Sequence, residues 1–268
     1  MKSDAQSDVG KLVPDVVDPW LRGVSGIPVG RGRIFVVLSR SDRRSCARPV
    51  GYQDADYCSG PIEYARVGQG SPVLVLHGAS GGWDQGLACA RDLVGHGFQV
   101  IAPSRFGYLR TPLPADASAE AEAETWADLL DALHIPRLPV IAVSAGAAPA
   151  VQLALRHPPA CRAWCCWLRA PAACIRAGPV LLHASRWRRC VFELTMWLLM
   201  RLAPRFTYRL VGIPSSLIPS LTLEQRARLD EVVDSILPAV PRRLGLLKEG
   251  QTQKPGREYA LERIAAPT

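Results

Sequence analysis

Ser144 is the residue of this chain best placed to do chemistry. It stands in Leu138-Pro139-Val140-Ile141-Ala142-Val143-Ser144-Ala145-Gly146, where an apolar run gives way abruptly to small residues. A serine raised on a tight strand-to-helix turn presents its hydroxyl as a nucleophile. Acyl transfer then needs a base for the hydroxyl proton, a group to orient that base, and N–H donors for the developing oxyanion. Ala145 opens the helix, where backbone N–H groups lack an intrahelical partner. Ala79 follows another apolar run, in His77-Gly78-Ala79-Ser80-Gly81-Gly82. Ala79 and Ala145 are the expected oxyanion donors.

No base or orienting acid follows from the spacing. His96 and His134 fall in loops at the opposite end of the expected strands, and His157 closes a helix that leads away from Ser144. His183 lies in a later helical stretch with no acid nearby, since no Asp or Glu occurs between Asp131 and Glu193. An unpaired serine is a weak nucleophile at neutral pH. A serine at a helix start is also a common N-cap, so the case for Ser144 rests on the elements around it.

Those elements alternate. Ile62 to Ala65, Val73 to Leu76, Phe98 to Ala102, Leu138 to Val143 and Ala163 to Leu168 read as strands. Trp83 to Val94, Ser118 to Leu133 and Ala145 to His157 read as helices. Glu120, Glu122 and Glu124 sit where a helix dipole favours acids. The continuous apolar strands predict a mostly parallel sheet with helices on both faces, presenting Ser144 and the His77–Gly82 loop at the carboxyl ends of the strands. Residues 1–57 predict a poorly ordered leader, 58–171 the core, 172–258 an inserted helical lid and 259–268 the start of a further core portion. Within the lid, Val191, Leu194, Leu198 and Leu202 recur at helical spacing, and Thr222 with Gln225 predicts a capping box. The Trp and Cys of Ala163-Trp164-Cys165-Cys166-Trp167-Leu168 replace the aliphatic residues expected of such a strand. A one-nucleotide shift of Leu-Val-Leu codons would write the same residues.

The ordered set His77-Gly78-Ala79-Ser80-Gly81-Gly82-Trp83-Asp84-Gln85, Ser104-Arg105-Phe106-Gly107-Tyr108, Val143-Ser144-Ala145-Gly146 and Arg156-His157-Pro158 resembles the α/β-hydrolase superfamily, in particular its bacterial members with a helical lid. Ala142 stands where the commonest elbow has glycine. The resemblance implies an α/β-hydrolase-type sheet, Ser144 as nucleophile, and His77 and Gly78 as supports of the oxyanion loop. It also implies an acid and a histidine later in the chain, whereas Leu261 to Thr268 look like the lead-in to the strand before the acid. The expectation is therefore a serine hydrolase, esterase-like or cleaving C–C or amide bonds, impaired because its acid and histidine are absent and its last strands are missing. The alternative is a non-catalytic remnant of that fold.

Composition narrows the partners. The 268 residues carry a net charge of +8, almost wholly from arginine, with lysine only at positions 2, 11, 248 and 254. No lysine-rich tail or zinc-finger spacing points to nucleic acid. Cys161, Cys165, Cys166 and Cys174 match no common zinc spacing, so neither metal nor cofactor is expected and buried free thiols are. The N-terminus lacks signal-peptide character, which leaves the cytoplasm as the expected location. The expected partner is a small-molecule substrate. Arg186, Arg188, Arg189, Arg201, Arg205 and Arg209, beside Trp187, Phe192 and Trp197, would also suit an anionic membrane surface. Packing within the lid is the expected reason for that composition.

Overall fold

The computed structural model describes residues 61–167, 185–210, 213–252 and 259–264. The expected leader, the 168–184 stretch with His183 and Cys174, and the side chains of residues 162–167 lie outside the described residues.

Five strands form one mixed sheet: β1 (Tyr64–Val67), β2 (Ser71–Leu76), β3 (Phe98–Pro103), β4 (Leu138–Val143) and β5 (Cys161–Trp167), in the order β1-β3-β2-β4-β5. Strands β3, β2, β4 and β5 run parallel, and β1 lies antiparallel along the β3 edge. Period-two alternation explains the apolar runs. Leu74 and Leu76 of β2 join Ile101, Val140 and Ala142 on one face, beneath α2 (Ala119–Ala132) and α3 (Ala147–Arg156). Val73 and Val75 face the other side, with Val100 and Leu93 of α1 (Trp83–Gly95). The expected strands and helices of this region recur within three residues at each end. Ser118 caps α2 by accepting from the Ala121 N–H at 3.1 Å, and the Thr222–Gln225 capping box is present.

The chain beyond β5 is helical where described: α4 (Arg186–Leu202), α5 (Pro204–Leu210), α6 (Leu223–Asp234) and α7 (Arg243–Thr252). Val191, Leu194, Leu198 and Leu202 keep their expected helical spacing on α4. All four are exposed. The inward side of α4 is instead Phe192, against Tyr108 and Leu246, and Met200, against Tyr208, Leu229 and Val233. After α7, Ile264 returns to the sheet and packs against the core beneath α3.

Candidate active site

Strand β4 ends at Val143, and Ser144 opens a short 3-10 turn (Ser144–Gly146) that leads into α3. The Ser144 backbone is left-handed, with φ of 50°. Serine is rarely held there, and such strain persists only where surroundings enforce it. Gly146 enforces part of it. A Cβ at that position would lie 2.6 Å from the Leu76 carbonyl oxygen and 2.7 Å from that of His77. The turn can close against the end of β2 only with glycine there. The Ser144 Oγ is shielded from solvent and accepts or donates no hydrogen bond among the described residues.

The glycine-rich loop after β2 runs beside this turn. A Cβ built on Gly78 would lie 3.3 Å from the Ser144 Cβ and 3.2 Å from the Val143 oxygen. His77, Gly78 and Ser144 thus converge at the carboxyl ends of β2 and β4. Ala145 is buried at the start of the turn, and Ala79 packs toward Tyr108, Leu246 and Ala239.

His77 is fully buried and both of its ring nitrogens are engaged. Nε2 accepts from the Arg105 N–H at 2.9 Å, which puts the proton on Nδ1, 2.7 Å from the Gly78 oxygen. Burial first, and then the Arg105 guanidinium, hold its pKa well below the ordinary value. A neutral, doubly bonded imidazole shapes the loop and has no lone pair left for the Ser144 proton. His96 bonds the Asp92 carbonyl at 2.8 Å, and His157 pairs with Glu124 at 2.9 Å. His134 is exposed in the turn before β4. Among the described residues no histidine pairs with Ser144.

Three supports of the loop escaped the sequence reading. Buried Gln85 accepts from the Gly78 N–H at 2.9 Å. Arg242, only 1% exposed, donates through Nε to the Gly81 oxygen at 3.1 Å and forms an ion pair with Asp84. The third is a buried charge cluster. Arg105 Nη2 lies 3.0 Å from Glu122 Oε2 and 2.9 Å from Glu249 Oε1, and Lys248 Nζ lies 2.8 Å from Glu122 Oε1. Two cations and two anions balance. Burial alone would raise the Glu122 carboxyl; Arg105 and Lys248 outweigh it and hold the group at about 2. Glu122 also accepts from the Phe106 N–H at 3.0 Å, so the cluster fixes the β3–α2 loop that carries the N–H bonded to His77.

Glu122 is therefore more than the helix-dipole acid expected from its place in the first turn of α2. The sequence held the signal: Glu122, Trp126, Leu129 and Leu130 share helical spacing, and all are buried. Arg105, Arg242, Lys248 and Glu249 gave none, because their partners lie far away in sequence. Burial pushes the Cys161 thiol up to about 11 and the Cys89 thiol up to about 12, so these two are not thiolates at neutral pH.

This elbow, the adjoining glycine-rich loop and the mixed sheet beneath them define a class. The alpha/beta hydrolase fold family matches residues 71–171, and the fold of the described core is of the α/β-hydrolase type. An alpha/beta hydrolase fold protein from Nakamurella multipartita superposes with a TM-score of 0.61 at 26% identity, over 78% of this chain and 76% of that one. The uncharacterised hydrolase YcgS of Bacillus subtilis is 34% identical over 99 residues, 37% of this chain and 34% of that protein. The 2-hydroxy-6-oxononadienedioate/2-hydroxy-6-oxononatrienedioate hydrolase of Paraburkholderia xenovorans is 35% identical over 103 residues, 36% of each. The matched stretch is about a third of the length of each curated relative.

Proposed function

We propose that this chain is a serine hydrolase in which Ser144 attacks an electrophilic carbonyl, of an ester or of a C–C or amide bond awaiting cleavage. The Ala79 and Ala145 N–H groups receive the oxyanion, and His77 and Gly78 shape the loop that carries Ala79. The left-handed backbone of Ser144, held by the close approach of Gly146 to β2, carries this reading. A helix N-cap role would explain the residue type but not the strained geometry. Residues 186–252 act as the lid, tied to the loop by Arg242 and the buried cluster. The substrate class we propose follows the Paraburkholderia relative, a 2-hydroxy-6-oxononadienedioate/2-hydroxy-6-oxononatrienedioate hydrolase.

With no histidine paired to it among the described residues, Ser144 turns over slowly. Loss of the histidine in a comparable triad costs about 10⁶-fold. The test is hydrolysis of short p-nitrophenyl esters by the chain and by its Ser144→Ala variant. A slow rate that the substitution abolishes is expected. Equal rates would overturn the assignment of Ser144 and leave the remnant reading.

A further inference from the structure

Nine of the ten large apolar side chains that stand exposed among the described residues lie between positions 187 and 223. In α4 they recur at Trp187, Val191, Leu194, Leu198 and Leu202, spacings of three and four that stack on one face of a helix. Trp187 is 76% and Leu202 79% exposed. A surface helix normally turns charge to the solvent, whereas this one turns an apolar stripe.

The surrounding charge is of one sign. Residues 186–210 hold six arginines and a single acid, Glu193. That acid accepts the Val240 N–H at 2.8 Å. Arg188, Arg205 and Arg209 form no ion pair among the described residues. A second feature also selects an anion. Between α5 and α6 lies a cavity of about 340 Å³, lined by Arg205 and Arg226 with Ile218 and the 86%-exposed Leu223. Asp230 on its wall accepts the Tyr208 hydroxyl at 2.6 Å, and the shielded Arg226 Nε has no hydrogen bond among the described residues.

We propose that this face docks on an anionic lipid surface. The apolar stripe of α4 enters the headgroup layer, its arginines meet lipid phosphates, and the Arg205–Arg226 cavity takes one headgroup. Charge excludes the other occupants. A second copy would set arginine against arginine. Residues 1–60 hold nine Lys and Arg against seven Asp and Glu, and residues 168–184 hold two arginines and no acid, so neither offers the complementary charge. Basic amphipathic helices with aromatic residues bind lipid interfaces by burying the apolar side and pairing the charges.

The experiment is flotation of the full chain with phosphatidylcholine vesicles, with and without phosphatidylglycerol. Binding is expected only with the anionic lipid, and high salt should release it. Arg188→Gln and Arg205→Gln should each lower partitioning about fivefold. The double substitution Trp187→Ser, Leu194→Ser should abolish it while the thermal melt stays unchanged. Absence of binding to anionic vesicles would overturn the proposal, as would equal binding to neutral ones. So would a concentration-dependent dimer, lost in the double variant, in the absence of vesicle binding, because the face would then join copies of the chain.

Discussion

In the sheet region the apolar residues of β2 point to opposite faces and all are buried; in α4 a comparable number point to one face and that face is bare. The two regions are held by different forces. Packing on both faces of the sheet stabilises residues 61–167. Charge ties the helical segment down, through Arg242 on the Gly81 carbonyl and Asp84 and through Lys248 and Glu249 against Arg105 and Glu122. Small apolar clusters add to this around Met200 and Leu246. The ionic contacts converge on the loops that shape the elbow. An apolar core can thus be read from a strand pattern, while the attachment of the helical segment depends on a few polar side chains.

The sharpest way to break this contrast is Glu122→Gln. It removes the carboxylate that Arg105 and Lys248 share, and removing one partner of a buried ion pair costs about 3–5 kcal/mol. Urea unfolding should report that loss, together with lower protection of α7 in hydrogen exchange. Next, Leu74→Ala should cost about 2–5 kcal/mol through cavity formation, and its urea midpoint should fall while the α7 exchange pattern is retained.

A pH series separates the titrating groups. The folded pKa of His77 lies well below its unfolded value of about 6.5, so its contribution is complete above that pH. It is lost as pH falls, because the unfolded chain takes up a proton that the fold refuses. Glu122, held at about 2 against 4.5, adds a further loss below about pH 4.5. The unfolding free energy from urea titrations should therefore decline below about pH 6.5, its slope approaching about 1.4 kcal/mol per pH unit for one proton near pH 5, and His77→Gln should flatten it. The smallest effect belongs to Trp187→Ser, which should shift stability by less than about 0.5 kcal/mol because the ring is already in water.

Much of the sheet region was legible. Buried strands give continuous apolar runs, and Leu138–Val143 could be bounded from sequence alone because Gly146 and the small residues after it mark the turn. Ser144, His77 and Gly78 could be gathered at one end of the sheet for the same reason. The face of α4 was not legible. Val191, Leu194, Leu198 and Leu202 carry the spacing of a buried stripe, and periodicity says which residues share a face without saying which way that face looks. Nor was the buried cluster, since Arg105 and Glu249 are joined only by the fold.

Everything proposed about catalysis turns on the Ser144 hydroxyl. Incubation with a fluorophosphonate probe, followed by peptide mass mapping, addresses it directly. One adduct on Ser144, formed slowly and absent from Ser144→Ala, is the predicted result. An unlabelled Ser144, or an adduct confined to another residue, would contradict the serine-hydrolase account of this chain.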